Sequence, residues 1–442
     1  MLHNIRLLNL SSPDALAREM ARLGCDPAGV SIMTPKARRL LVRVESVRGK
    51  AASILKQLML SVGGDLCVSR EVAAFDDTPR PVLIIGDARH FARLRKRLNG
   101  EPFGLREIGK EVEEALRRYS ATPAPVRCGE RDLTFDRTRV MGIINVTPDS
   151  FSGDGLVVAV GAPASSRHEP RRTDVPAGSR RSYGNGLPAG SRRSQDGHVV
   201  TAVAQGLQFV ADGADLLDVG GESTRPGSEG VSVEEELRRV LPVIEGLAAQ
   251  VDVPISIDTS KPEVARAALA AGATLINDVY ALRQPGMLEV AAETGAGVCV
   301  MHMQGQPRDM QHDPHYEDVV TEVYDFLAER VQSAVAAGVA EAQIIIDPGF
   351  GFGKTAEHNL ELVRRLREFR SLGRPVLLGP SRKRTIGEIT GKDAGERVFG
   401  TAAVCAVGIA KGANLIRVHD VAAMVDVAKM ADALRGEDFA EA

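Results

Sequence analysis

No stretch of this chain approaches the roughly 20 consecutive apolar residues that a membrane-spanning helix requires. Nor is there an excess of positive charge: 55 Lys and Arg stand against 58 Asp and Glu, a formal net charge of −3, which argues against nucleic acid or an anionic membrane as a partner. Cysteine is sparse and unpaired in pattern. Cys25, Cys67, Cys128, Cys299 and Cys405 are odd in number and contain no CxxC, which excludes a disulfide framework and a cysteine zinc site and makes a reducing, cytoplasmic setting the expectation. No HExxH is present; His302, His312, His315, His358 and His419 are scattered and read mostly as structural or surface groups. The run GFGFGKT at 349–355 looks like a phosphate loop, but Pro348 stands where that motif needs glycine, so ATP binding is not predicted.

The chain has 442 residues, 44% of them hydrophobic, enough for more than one core and two domains. Residues 1–120 alternate helical segments (13–23, 47–60, 105–119) with strand-like runs such as 81–85, the pattern of a small α/β domain without a legible role. The segment ATPAPV at 121–126, stiffened by two prolines, opens a linker over 121–134.

From residue 135 to 442 the rhythm changes. Eight short β-branched runs, each ending in glycine, proline or polar residues, alternate with helical stretches such as 262–271 and 316–336. They are GIINVTPDS (142–150), LLDVGGEST (216–224), ISIDTSK (255–261), LINDV (275–279), VCVMHM (298–303), IIIDPGFGFGK (344–354), VLLGPSRKR (376–384) and LIRVHD (415–420). Eight such units predict a (β/α)8 TIM barrel preceded by the smaller α/β domain, with any active site at the carboxyl ends of the strands.

One segment interrupts the repeat. Residues 156–197 occupy the first βα connection and carry PAGSRRS twice, at 176–182 and 188–194. Rich in Gly, Pro, Ser and Arg, the insertion cannot bury enough apolar surface to offset the entropy of ordering it, and it is predicted to be disordered.

The strand ends converge in chemistry. Asp258, Asn277 and Asp347 offer carboxylate and amide hydrogen bonds; Arg225, Lys383, Arg417 and His419 offer cationic donors; Asn145 is an amide able to approach a metal. Arg417 and His419 are two residues apart on one strand and so face the same way, as a site for an anion needs. Any one of these residues alone is as well explained as a cap or a core group. Several strands aiming acidic, amide and basic groups at one mouth instead describe a site for an anionic heterocycle.

These residues lie in seven ordered motifs, VMGIINVTPDSFS, GGESTRPGS, ISIDTSK, INDV, DPGFGFGK, GPSRKR and IRVHDV, which closely resemble those of the dihydropteroate synthases over about 136–433, the insertion excepted. The resemblance implies condensation of a hydroxymethyldihydropterin pyrophosphate with 4-aminobenzoate, with magnesium, to give dihydropteroate for folate synthesis. It implies a pterin pocket of Asp258, Asn277, Asp347 and Lys383 with apolar walls from Met301 and Phe352. Asp347 would grip the guanidine-like edge of the ring through two parallel hydrogen bonds. It also implies a diphosphate and magnesium site of Asn145, Arg417 and His419. The aminobenzoate site and closing loops would use Phe151, Thr224, Arg225, Pro226 and Ser381, and Asp258, Lys383 and Arg225 would carry the catalysis. Asp258 is the expected stabiliser of a pterin cation. A homodimer and inhibition by aminobenzoate mimics such as sulfonamides are further implications.

The sequence departs from that pattern in its first loop, where Ser150-Phe-Ser-Gly-Asp-Gly155 inverts the usual aspartate and glycine and leaves a role for Asp154 open. Two other readings stand beside the synthase: a folate-dependent corrinoid methyltransferase, which would not need Lys383, Arg417 and His419 together, and a lapsed barrel that binds pterin without turning it over.

Overall fold

A computed structural model describes residues 8, 13–74, 76–147, 190–223, 230–306 and 309–435. The amino-terminal unit begins with two short helices, α1 (Pro13–Arg22) and α2 (Pro27–Met33). It continues through β1 (Leu40–Val47), α3 (Gly49–Val62), β2 (Asp65–Cys67), α4 (Arg70–Ala73), β3 (Arg80–Gly86), α5 (Ala88–Leu98) and α6 (Leu105–Ser120). Its sheet is antiparallel in the order β1-β3-β2. α3, α5 and α6 pack their apolar stripes on that sheet around Leu55, Met59, Leu66, Ile84 and Leu94. Two chain-reversal signals are met locally: Gly63 ends α3 at φ 97°, and Asp87 and His90 form a capping box at the start of α5.

The two units meet where α6 ends. Arg370, in the 3-10 turn Leu366–Leu372, donates from Nε to Tyr119 O at 3.0 Å and from Nη2 to Ala121 O at 2.8 Å. A cation therefore satisfies carbonyls at the negative end of the helix. Arg367 also lies 5.3 Å above the Tyr119 ring. Residues 121–134, read from sequence as a linker, contain a small hairpin of β4 (Val126–Cys128) and β5 (Arg131–Leu133).

The second unit is an eight-stranded parallel barrel. Its strands are β6 (Arg139–Asn145), β7 (Leu216–Gly220), β8 (Ile255–Asp258), β9 (Leu275–Asp278), β10 (Gly297–Met301), β11 (Ile344–Asp347), β12 (Leu377–Leu378) and β13 (Leu415–Val418). They pair in the order β11-β10-β9-β8-β7-β6-β13-β12, and an isolated parallel bridge between Ile346 and Val376 closes the ring. Around it run α7 (Gly190–Ala211), α8 (Val233–Ala248), α9 (Pro262–Ala270), α10 (Met287–Thr294), α11 (Val319–Ala336), α12 (Ala356–Arg364), α13 (Arg384–Thr390), α14 (Val398–Ala410) and α15 (Val421–Arg435). Caps mark several starts: Ser232 accepts from Glu235 N at 3.2 Å, and Asp318 accepts from Val320 N at 3.1 Å.

Most of the insertion, including Asp154 and the first repeat, lies outside the described residues. Its end does not. Gly190–Gly197, expected to be disordered, forms the first turns of α7. The physical reason is that adding residues to a helix already anchored by packing is far easier than nucleating one, and Arg and Gln propagate well.

Strand alternation places the site. One set of inward residues, Met141, Leu216, Leu275, Cys299, Ile345, Leu377 and Leu415, forms a buried floor with Val126, Cys128, Leu133 and Phe135, so the β4–β5 hairpin and the chain after it plug the amino end of the barrel. Two residues further along each strand, the next inward positions include Asp218, Asn277, Met301, Asp347 and Arg417.

Candidate active site

Above the apolar floor the barrel interior becomes charged. Asp218, wholly buried, accepts from Arg417 Nε at 2.5 Å and from Asn277 Nδ2 at 3.0 Å. Arg417 Nη2 reaches Asp258 Oδ2 at 2.6 Å. One guanidinium thus bridges carboxylates from β7 and β8. Burial pushes the Asp258 carboxyl up from its usual range; Arg417 opposes that shift, and Asp218 adds to it. The two carboxylates hold the Arg417 guanidinium firmly protonated despite its burial. With one N–H of Asn277 Nδ2 committed to Asp218, its amide oxygen and second N–H remain for a ligand.

Asp347 ends β11. Its Oδ1 accepts from Gly349 N at 2.7 Å, and burial raises its pKa while the nearby Lys383 ammonium lowers it. Lys383 lies in the loop after β12, donates to Phe350 O and sits 4.2 Å from the Phe352 ring centroid. Burial brings its ammonium down to about 7, with Asp347 resisting. Phe352 and Met301 belong to one apolar cluster with Val279, Met303 and Met310.

Two backbone devices hold these side chains. Gly351, at φ 83°, lies so close to Lys383 that a Cβ would come within 2.7 Å of its Cδ. Arg382, just before Lys383, adopts φ 57° without being glycine, a conformation that costs about 1 kcal/mol or more. It is pinned there: its guanidinium binds Asp420 at 2.7 and 3.1 Å, its N–H donates to Thr401 Oγ1 at 3.1 Å, and Arg397 donates to its carbonyl at 2.9 Å.

At the other side of the mouth, His419 Nε2 lies 3.4 Å from Asn145 Nδ2, and His419 Nδ1 lies 3.0 Å from Ser381 Oγ. The Ser381 hydroxyl also accepts from His419 N at 3.1 Å. Ser381, expected on the aminobenzoate side, is thus hydrogen-bonded to His419. Phe151, Thr224, Arg225 and Pro226 lie outside the described residues. Among the described residues no three His, Cys, Asp or Glu side chains gather as a metal cage. A magnesium held by one neutral amide oxygen, substrate phosphates and water needs none, and Asn145, with its nitrogen turned to His419, has that oxygen to offer.

Three groups escaped the sequence reading. Asp218 had a signal, since it follows Leu216 by two residues and shares its inward parity. The Arg382–Asp420 pair joins residues 38 apart and had none. Lys354, at the end of the glycine-rich run, is buried rather than presented to a phosphate: its Nζ lies 2.9 Å from His302 Nδ1.

A closed parallel barrel whose carboxyl end combines buried carboxylates, an amide, a lysine and an apolar wall defines a binding pocket for a polar heterocycle, the class to which the protein-family model "Pterin binding enzyme" assigns residues 189–419. Dihydropteroate synthase of Escherichia coli (strain K12) is 42% identical over 301 residues, 68% of this chain and 93% of that protein. The structure of the Xanthomonas albilineans dihydropteroate synthase with 4-aminobenzoic acid superposes with a TM-score of 0.59 at 46% identity, covering 71% of this chain and 99% of that one. A probable bifunctional folylpolyglutamate synthase/dihydropteroate synthase of Halobacterium salinarum is 38% identical over 427 residues, 97% of this chain but 47% of that protein. The chain belongs to the dihydropteroate synthase family.

Proposed function

We infer that this chain condenses 6-hydroxymethyl-7,8-dihydropterin pyrophosphate with 4-aminobenzoate to give 7,8-dihydropteroate and pyrophosphate, a transferase step of folate biosynthesis. The observation that carries this reading is the ring of Asp258, Asn277, Asp347, Lys383 and Arg417 set above an apolar floor and beside the Met301 and Phe352 wall.

Asp347, aimed into the pocket by Gly349 N, takes the guanidine-like edge of the pterin through two parallel hydrogen bonds. The Asn277 oxygen accepts a ring N–H, and Lys383 donates to the ring carbonyl side. As the C–O bond to pyrophosphate breaks, positive charge grows on the pterin, and Asp258 is the carboxylate placed to offset it. The aryl amine, neutral at pH 7, attacks with its nitrogen lone pair, forms the C–N bond and loses its proton, so no strong base is required. His419, Arg417 and Asn145 receive the departing diphosphate. Asn145 would hold a magnesium ion through its amide oxygen, and that ion, when bound, would supply charge neutralisation to the leaving group. Phe151, Thr224, Arg225, Pro226 and Ser381 are assigned to the aminobenzoate side, where sulfonamides would compete.

The active form is proposed to be a cytoplasmic homodimer. No described helix is long and apolar enough to cross a membrane. α14 and α15 leave Phe399 85% and Leu434 81% exposed, together with Val407 and Met430, an apolar face of the kind a second copy covers. Light scattering should give twice the chain mass, and Phe399→Glu should shift it toward the monomer.

Incubating the purified protein with magnesium, the pterin pyrophosphate and 4-aminobenzoate should release pyrophosphate in step with dihydropteroate. Pterin binding without turnover would overturn the synthase reading in favour of a lapsed barrel, and methyl transfer from a folate would favour the methyltransferase.

A further inference from the structure

The loop after β11 closes around a cation that the reaction leaves unused. Lys354 is 3% exposed, and its Nζ lies 2.9 Å from His302 Nδ1, 2.9 Å from Phe352 O, 3.0 Å from Gly349 O and 3.4 Å from His302 O. Among the described residues no carboxylate forms an ion pair with it. Burial disfavours charge on both groups, holding His302 neutral at about 2 and lowering Lys354 from the usual lysine range. The three acceptors within 3.0 Å of Lys354 Nζ nonetheless match the three N–H bonds of an ammonium, the form that bears on Asp347. An ammonium has donors only, so His302 Nδ1 is the acceptor and its ring proton sits on Nε2.

A buried amine of this kind is expensive, and a methionine would fill similar space at less cost. What methionine could not do is gather the carbonyls of Gly349 and Phe352 and the His302 ring around one point. The same stretch of backbone delivers Gly349 N to Asp347 Oδ1 at 2.7 Å and Phe350 O to Lys383, while His302 N donates to Asp347 O at 3.0 Å. Gly349 and Gly353, at φ 71° and 59°, allow the tight wrap, since a Cβ on either would collide with the carbonyl of His302 or Gln304. Lys354 and Lys383 thus hold the same loop backbone that orients Asp347, and both charges bear on its carboxylate.

We propose that Lys354, with neutral His302, is a positioning residue of the pterin pocket, fixing the direction and the charge of the Asp347 carboxylate without touching substrate. This rests on the reading of Asp347 as the pterin ligand. The charged or titratable groups acting on Asp347 are Lys354 from its own loop, Lys383 from the loop after β12 and Arg417 from β13. Cys299 on β10 also faces it, and burial holds that thiol protonated.

The test compares Lys354→Met, His302→Leu and His302→Asn in the full chain, with Asp347→Ala alongside and folding checked by thermal unfolding. For Lys354→Met and His302→Leu, KM for the pterin pyrophosphate should rise by about tenfold or more while KM for 4-aminobenzoate stays put. In Lys354→Met the acid limb of kcat/KM for the pterin should also move to higher pH, because Asp347 loses a neighbouring positive charge and protonates more readily. His302→Asn, which keeps an acceptor near Nδ1, should restore most of the affinity. A folded Lys354→Met protein with lower kcat but unchanged KM and acid limb would overturn the proposal and leave a packing role. Should Lys354→Met fail to fold, the contrast between His302→Leu and His302→Asn decides the same point: equal pterin KM values for those two would overturn it. If Asp347→Ala leaves the pterin KM unmoved, the underlying reading of Asp347 falls and takes this one with it. If Asp347→Ala raises it and Lys354→Met does not, the present inference alone falls.

Discussion

The two units of this molecule treat charge in opposite ways. In the amino-terminal domain the ion pairs sit at the surface, as with Arg43 and Glu45 or Arg117 and Glu114, and the core of Leu55, Met59, Leu66 and Ile84 is apolar; its buried polar side chains, Asp87 and His90, serve a helix cap. The barrel buries Asp218, Asn277, Asp278, His302, Asp347 and Lys354 outright and half-buries Asp258, Lys383 and Arg417. Burying ions rarely stabilises a fold relative to apolar packing. A domain that does so repeatedly toward the carboxyl end of its strands is arranged for a ligand. Its neighbour is arranged for folding.

The sharpest way to break that contrast is at Arg417. Arg417→Met leaves Asp218 and Asp258 facing each other without compensation and should destabilise the barrel by about 3–5 kcal/mol, read by urea unfolding. Asp218→Asn in the same chain should recover part of the loss, because one carboxylate has gone. A change under about 1 kcal/mol would show that the bridge is not the barrel's keystone.

Truncating the other core tests its independence. Leu55→Ala should cost about 2–5 kcal/mol in the amino-terminal domain while leaving both substrate KM values as they were. A matching rise in the pterin KM would tie this domain to the site and blur the comparison.

The smallest effect is electrostatic. Lys383 loses its proton as pH rises through about 7, so kcat/KM for the pterin pyrophosphate should decline on the alkaline side of neutrality. The buried carboxylates of Asp258 and Asp347, raised above their ordinary range, set the acid limb. Lys383→Arg keeps its charge to far higher pH, so its alkaline limb should move out of the measurable range even though its turnover is lower. An alkaline limb that stays in place would assign it to another group.

Much of this was legible because period and chemistry coincide. The eight strand ends could be read since each apolar run stops at a Gly, Pro or polar residue, and α6 (Leu105–Ser120) and α9 (Pro262–Ala270) fall within a residue of their expected limits. Asp258, Asn277 and Asp347 were readable as strand-end residues, Met301 only through the resemblance, and the structure brings them to one mouth. The β4–β5 hairpin was not, because strands of three residues are too short to show alternation. Nor were contacts fixed only by closure of the ring, such as Lys354 with His302 across 52 positions or Arg382 with Asp420. Asp218 was a missed opportunity: it stands midway between Leu216 and Gly220, and counting by twos would have found it.

The ring of strands is least well stitched between β11 and β12. β12 is two residues long, and its link to β11 is the single bridge of Ile346 and Val376, with Ile346 N donating to Pro375 O at 3.0 Å. That seam runs directly beneath Asp347 on one side and Lys383 on the other. A molecule gripping both residues would act as a clasp across the weakest join in the hoop, so occupancy should slow amide hydrogen exchange well beyond the pocket, along β11 and β12 and the helices that back them.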